Sequence, residues 1–333
     1  MYDDYIKEYK GKTVLITGGA GCVGSNLTKA LIKAEAARII VLDDLSAAAK
    51  WNIPVDPAVL FVQGSILDDE VMKRAYSFNP DYVFHLAAHF ANQNSVDNPE
   101  TDLLVNGQGT IKVLQYAGLT RVKRVVFASS GCSVYGSQAP LPLKEDFVSL
   151  HLDTPYQITK LLGELYCNFF RDYHKVPVAI ARYFNVYGPG EIPGAYRNVI
   201  PNFMWWAMHG QPLPITGTGE ETRDFTFVED IVDGTLRLGV IPAAEGDAFN
   251  LASETETQVK DIAAMVNKLT GNKAGVRMVP RRDWDLISKR RASIAKASKV
   301  LGYAPRMKME VGITRVYDWI KENKDNIAAS AKY

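Results

Sequence analysis

Tyr156 and Lys160 stand four residues apart in TPYQITK. On a helix that spacing puts both side chains on one face, one turn apart. An unperturbed tyrosine titrates near ~10 and is a poor base at neutral pH. An ammonium beside it stabilises the phenolate, and an oxidised nicotinamide adds further positive charge. Taken alone, YxxxK recurs by chance and reads as a surface pair. Two upstream stretches reverse that balance. ASSGCSVYG (Ala128–Gly136) follows the apolar run Val125–Phe127 and crowds three serines, a cysteine and a tyrosine at a strand end. TGGAGCVG (Thr17–Gly24) sets Gly18, Gly21 and Gly24 as GxxGxxG between a strand and a helix.

Small residues at those positions let the backbone approach a pyrophosphate. The helix N-terminus favours that anion through free N–H groups and its dipole. Cys22 and Val23 belong to the same cradle. Asp43 ends the second strand about 20 residues further on, where a carboxylate accepts hydrogen bonds from an adenosine ribose. It also repels a 2′-phosphate, so the expected cofactor is NAD, with Asp44 as a second acid beside it. The five histidines form no ligand-spaced cluster with cysteines or carboxylates, so no metal is expected.

These groups need a scaffold, and the first half of the chain supplies an alternating one. Strands are expected at Thr13–Thr17, Arg38–Leu42, Val59–Val62, Asp81–Leu86, Arg124–Ala128 and Val178–Tyr183. Helices are expected at Val23–Ala34, Asp68–Ser77, Asp102–Ala117 and Pro155–Tyr173. Strands separated by helices without hairpin signals predict an α/β, doubly wound parallel sheet, with ligands beyond its carboxyl ends. After about Gly188, Pro and Gly become frequent and the alternation stops. Helical patterns return at Val259–Leu269 and Val311–Asn323. The division expected is a Rossmann domain over 1–183, with 224–252 returning to it, and a smaller substrate-binding domain over 184–333.

The 333 residues, 47% of them hydrophobic, suffice for two such cores. Lys plus Arg number 38 against 37 for Asp plus Glu, so no global field points to nucleic acid. No apolar run approaches the ~20 residues of a membrane span. The opening MYDDYIKEYKGK has no apolar leader core, and the three cysteines lack CxxC spacing. A reduced cytoplasmic protein is expected.

In order along the chain come GGAGCVG, HLAA (His85–Ala88), NGQGT (Asn106–Thr110), SVYG and YQITK. RYFNVYGPG (Arg182–Gly190), NVIP (Asn198–Pro201) and RDFTFVED (Arg223–Asp230) follow. The set resembles the extended short-chain dehydrogenase/reductase family, in its nucleotide-sugar epimerase and dehydratase branch, over nearly the whole chain. The resemblance implies that Leu86, Ala87 and Ala88 pass close to NAD, that Tyr156 and Lys160 hold the nicotinamide ribose, and that Ser129 and Tyr183 line the same site. It implies that Asn185 and Asn198 contact the sugar nucleotide, and that Arg223 and Arg282 bring positive charge to its diphosphate. Many relatives place an aspartate where QGSI has Ser65, so Ser65 and Ile66 are expected as weaker adenine contacts. The relatives' catalytic Ser/Thr falls four residues before the VYG tyrosine, where this chain has Gly131. One extra loop residue, counted from Phe127, shifts that role to Ser130, with Ser129 as the fallback. A gapless alignment through KASKVLGY puts Arg291 at the position that gates the sugar, where it would either favour an anionic hexose or stand as a solvated member of the basic KRR run.

The relatives' dehydratases carry an Asp-Glu pair before VYG, and their decarboxylases a glutamate two positions before the tyrosine. Here Cys132 and Ser133 stand in that place. The expected function is therefore an NAD-dependent 4-epimerase of a nucleoside-diphosphate hexose, expected to be a UDP-sugar, neutral or uronic, through a transient 4-keto sugar. A dehydratase, decarboxylase or reductase of the same fold is the alternative, and a non-catalytic nucleotide sensor the reading from another class. The relatives also imply a homodimer through helices near 100–117 and 155–173. The stripe Tyr156, Leu162, Leu165, Phe169 and Phe170 suits that or core packing equally.

Overall fold

The runs TVLIT, RIIVLD, YVFH and RVVFASS are apolar on both strand faces, so a sheet built from them must be covered twice. The structure, a computed structural model describing residues 4–331, does this. Strands β1 (Thr13–Thr17), β2 (Arg38–Asp43), β3 (Val59–Gln63), β4 (Tyr82–His85), β5 (Arg124–Ser130), β6 (Val178–Tyr183) and β7 (Ala248–Leu251) form one parallel sheet in the order β7-β6-β5-β4-β1-β2-β3. Alternate residues feed two cores. Val14, Ile16, Ile39 and Val41 pack on one face, and Leu15, Ile40, Leu42 and Val83 on the other. The chain reverses its winding between β1 and β4, which opens a crevice at their carboxyl ends.

The helices that matter for the site are α1 (Cys22–Lys33), α2 (Asp69–Tyr76), α3 (Gly109–Thr120) and α4 (Pro155–His174). Thr154 starts α4 by accepting from Gln157 N with Pro155 in the first turn, and Lys175 ends it in a left-handed conformation at φ 57. The continuous helix expected over Asp102–Ala117 is instead broken. A short turn at Pro99–Asp102 runs into a wider π-type turn at Leu103–Gln108 before α3 begins. Asn106 sits in that wide turn, and its side chain bonds His89 N at 2.8 Å, Asp102 Oδ1 at 2.8 Å and Thr159 Oγ1 at 3.2 Å.

The second half holds more regular structure than its Pro and Gly content suggests. Helices α5 (Val199–Met208) and α6 (Val228–Val240) were not expected, whereas α7 (Val259–Thr270) and α8 (Met309–Glu322) were. The segment 228–251 returns to the main sheet, with α6 packed on α1 and β7 paired to β6. A third core, including Ile200, Phe203, Ile262, Val266, Ile313 and Val316, sits over the crevice side of the sheet. No helix among the described residues is long and apolar enough to cross a membrane.

Strand β5 runs two residues past its expected end, pairing Ser129 with Arg182 and Ser130 with Tyr183. One face of α4 lies along this strand end and presents Tyr156, Lys160 and Glu164 at successive turns. Lys160 Nζ donates to Ala128 O at 3.0 Å, and Ser129 Oγ donates to Glu164 Oε1 at 2.5 Å. Glu164 also takes Arg182 in a bidentate pair, at 3.0 Å from Nε and 2.8 Å from Nη2, with both side chains buried. Removing one partner strands a buried charge. Arg182→Met should therefore cost about 3–5 kcal/mol in denaturant unfolding. A loss below ~1 kcal/mol would show that the pair does not hold α4 to the sheet.

Candidate active site

A cavity of about 560 Å³ opens at the crevice and is lined by the loop after β1, the ends of β2, β4 and β5, and the start of α4. The three motif glycines meet different demands. Gly18 has φ +69, and a Cβ there would lie 2.6 Å from Ala87 N, so β1's exit and β4's exit touch only because it is glycine. A Cβ on Gly24 would lie 2.5 Å from Gly18 O, which fixes how closely α1 seats on the loop. Gly21 is the residue at α1's start, and its nearest neighbour to a built Cβ, Gly18 O, is 3.4 Å away. A bare helix start facing a cavity is an anion cradle. A dinucleotide's pyrophosphate fits it.

Asp43 is buried at the end of β2, with Oδ2 accepting from Ala20 N at 3.0 Å and Oδ1 from Leu45 N at 2.8 Å. Burial pushes its carboxyl up, while those two N–H groups and Arg197 pull it back. Asp44 is exposed at the cavity rim and turns onto Ser46. Cys22, Val23, Ser65, Ile66, Leu86, Ala87, Ala88, Ser129 and Tyr183 all line this cavity. Three of their hydroxyls are already engaged. Ser65 Oγ accepts from Leu67 N at 3.2 Å, Tyr183 shares a 2.8 Å bond with Thr235, and Ser129 is held by Glu164.

Ser130 therefore carries the hydroxyl of the strand end that remains in the cavity, with Ser133 Oγ donating to it at 2.9 Å. Tyr156 and Lys160 line the same space. Among the described residues nothing bonds the Tyr156 hydroxyl, while its ring meets Phe90 edge-on at 5.9 Å between centroids. Lys160 Nζ lies 5.5 Å from the Tyr156 ring centroid. Burial governs both titrations. It raises Tyr156 well above the usual phenol range, with Asp102 and Cys132 adding to the rise, and it lowers Lys160 to about 8. The depression of Tyr156 expected from Lys160 does not outweigh burial in the protein alone. In the protein alone the phenol holds its proton.

A second cavity of about 430 Å³ adjoins the first across Phe90, Cys132, Asn185, Arg197 and Asn198. Asn185 accepts from Cys132 Sγ at 3.1 Å, and Asn198, the residue before α5, donates from Nδ2 to Glu191 at 2.8 Å. Arg223 and Arg282 both line this cavity. Arg223 is paired with Asp285 at 3.2 Å, whereas Arg282 lies over the Trp284 ring. Arg291 is not in the cavity. It is exposed, and its carbonyl accepts from Leu143 N at 2.9 Å, while its neighbour Arg290 turns inward. The segment is extended there, so adjacent side chains face opposite ways and a one-residue shift reverses the assignment.

Three residues escaped the motif reading. Glu191 is buried with Oε2 unpartnered, and burial raises it to about 7. Arg197 joins the two cavities and donates to Ala47 O. Asp102 is fully buried beneath α4 and accepts from Thr159 at 2.6 Å. Glu191 and Arg197 follow the recognised GPG, and only their charge within an otherwise apolar loop could have marked them.

A glycine-built anion cradle, with a tyrosine and a lysine one helical turn apart in the same cavity, defines a Rossmann-fold dinucleotide enzyme. Residues 14–252 match the NAD dependent epimerase/dehydratase family, and the chain belongs to it, with NAD as its cofactor. It is 57% identical to epimerase Mth375 of Methanothermobacter thermautotrophicus, with a TM-score of 0.99, covering 100% of this chain and 99% of that one. WbmF of Bordetella bronchiseptica, solved with NAD+, is 36% identical, with a TM-score of 0.85 and coverage of 97% and 96%. A UDP-glucose 4-epimerase of Mycolicibacterium smegmatis is 33% identical over 310 residues, 92% of this chain and 98% of that protein.

The lowered pKa of Lys160 has a signed consequence. Between about 8 and the unfolded value near ~10.4, the unfolded chain binds a proton that the native chain does not, so stability rises with pH. From pH 8 to 10, wild type should gain up to about 1.4 kcal/mol per pH unit relative to Lys160→Met in denaturant midpoints. Parallel stability curves for the two proteins would contradict this.

Proposed function

We propose that the protein interconverts a nucleoside-diphosphate hexose, a UDP-sugar, with its C4 epimer, without net oxidation. The observation that carries the reading is the strand end itself. Ser130 and Tyr156 place two hydroxyls in the first cavity, next to the Phe90 and Cys132 that it shares with the second, and positions 132 and 133 hold no carboxylate. Gly18, Gly21, Gly24 and Asp43 would hold the dinucleotide, and Lys160 its nicotinamide ribose. When bound, NAD supplies a reversible hydride acceptor. Tyr156 takes the C4 hydroxyl proton, and Ser130 shares that proton's hydrogen-bond network. Lys160 beside Tyr156 would favour the phenolate against the burial that raises it, and bound NAD+ would add positive charge in the same direction. The 4-keto sugar then turns and is reduced on its other face as Tyr156 returns the proton.

A dehydratase or decarboxylase would also need a group to move the C5 proton or manage loss of carboxylate. Cys132 does not serve: burial raises its thiol, and it donates to Asn185. A reductase would release its nicotinamide product, and cofactor exchange separates that case. Residues 1–183 with 224–252 serve the cofactor in this reading, and the rest of 184–333 the nucleotide sugar. Purified protein should therefore epimerise a UDP-hexose with no NAD added. Tyr156→Phe should lose roughly 10²- to 10⁴-fold in kcat while retaining NAD. Near wild-type turnover in that variant, or strict dependence on added cofactor, would reject the assignment.

Exposed apolar side chains support a homodimer. Leu103, Leu104, Ile158, Leu165, Phe169 and Tyr173 all reach solvent, on the two helical segments named from the sequence. Of the expected stripe, Phe170 turns into the core and Tyr156 into the first cavity instead. Contiguous apolar surface of this kind marks association. Light scattering should give a dimer for wild type and a monomer for Leu165→Glu with Phe169→Glu. A monomeric wild type would exclude the pairing.

A further inference from the structure

One charge in the substrate cavity has no counterpart in the protein. Arg290 is 3% exposed and lines the second cavity, yet no carboxylate among the described residues pairs with it. Of its five N–H donors, only one is engaged, from Nη2 to Gly136 O at 3.2 Å. The charged neighbours do not neutralise it. Asp285 is taken by Arg223, which adds a second positive charge, and the Cys132 thiol is raised by burial and stays neutral. Asp153 lies on the loop before α4 and keeps its buried Oδ2 unpartnered rather than reaching the guanidinium.

An unpaired buried cation costs several kcal/mol and would swing toward water if its backbone allowed. This one is held. Leu143 N bonds Arg291 O at 2.9 Å, Ser293 N bonds Leu143 O at 2.8 Å, and Ala292 N bonds Asp224 Oδ2 at 3.2 Å. The partner that completes it must therefore come into the cavity. Its position says which part of a ligand that is. Gly136 and Cys132 belong to the turn directly after Ser130, so the guanidinium faces the reacting end of the cavity.

We propose that Arg290 binds a carboxylate carried by the hexose, so that the substrates are nucleoside-diphosphate hexoses bearing an acidic group, as a C6 uronate or as a carboxylate-bearing ether on a ring carbon. This rests on the reading that the cavity takes a nucleotide sugar. It moves the role expected of Arg291 by one residue. A planar fork with its remaining donors turned to a cavity prefers a bidentate carboxylate over a hydroxyl.

The test uses matched pairs: UDP-glucose against UDP-glucuronic acid, and UDP-N-acetylglucosamine against UDP-N-acetylmuramic acid, with UDP alone as the diphosphate control. Calorimetric affinity and epimerisation are both read. Wild type should favour the acidic member of one pair by roughly 10- to 100-fold, and the pair that responds locates the carboxylate. Arg290→Met should bring that ratio close to one, and Arg290→Lys should restore part of it. Equal wild-type affinity within both pairs overturns the proposal, and needs no variant that might misfold. So does an Arg290→Met protein that loses affinity for UDP as much as for the acidic sugar, because the guanidinium then serves the diphosphate. Acidic preference in binding without epimerisation of any sugar would instead reject the functional reading and leave Arg290's role standing.

Discussion

The buried pair of Arg182 and Glu164 is the constraint on which the site depends. Glu164 is the third rung of the α4 face that begins with Tyr156 and Lys160, and it also receives Ser129. Arg182 reaches in the other direction, to the Tyr135 hydroxyl at 3.0 Å and Glu145 O at 3.2 Å. Tyr135 donates to Asn250 at 2.7 Å, and Asn250 in turn bonds Leu143 O and Ser293 O. One connected network thus ties the catalytic helix, the serine strand, the turn after it, the last strand and the segment bearing Arg290. A buried ion pair adds little net stability by itself, because desolvation offsets most of its attraction. Its use here is geometric. Hydrogen bonds with fixed directions set the distance between the phenol of Tyr156 on a helix and the hydroxyl of Ser130 on a strand, which apolar packing alone would leave to slide.

The remaining buried charges follow a different rule. Glu164 and Arg182 satisfy each other, whereas Lys160, Glu191 and Arg290 have no opposite charge paired to them among the described residues. All three line the two cavities. In the proposed reading, Lys160 and Arg290 face the negative charge that a dinucleotide and a nucleotide sugar would bring, and binding would recover desolvation already spent in folding.

Much of this was legible in the sequence because it is local. β1 and β6 have the bounds their apolar runs predict, and the glycine spacing and YxxxK each lie within a single turn or loop. What the sequence concealed was which way a side chain faces in an extended segment. Ser129 and Ser130 are adjacent, yet one hydroxyl is spent on α4 and the other stays in the cavity. Arg290 and Arg291 are adjacent, and one is buried while the other is exposed. A period of two turns any one-residue uncertainty in register into the opposite answer. The other gaps are non-local. Asp102 meets Thr159 across 57 positions, and helix α6 forms within the segment expected to return to the sheet, where Pro- and Gly-rich surroundings hide its helical period.

The absence of an acid beside Ser130 gains meaning from this arrangement. Epimerisation requires that a 4-keto sugar leave one face of the cofactor and present the other before anything else happens to it. A carboxylate near C5 would offer that intermediate another exit, because the proton beside a ketone is readily removed. Cys132 cannot take that proton while its thiol is held neutral by burial and donated to Asn185. Ser133 cannot, because its hydroxyl donates to Ser130. The two residues that stand where an acid would divert the reaction are thus occupied in holding Asn185 and Ser130. In the proposed reading, positions 132 and 133 therefore supply no base to draw the C5 proton from the intermediate.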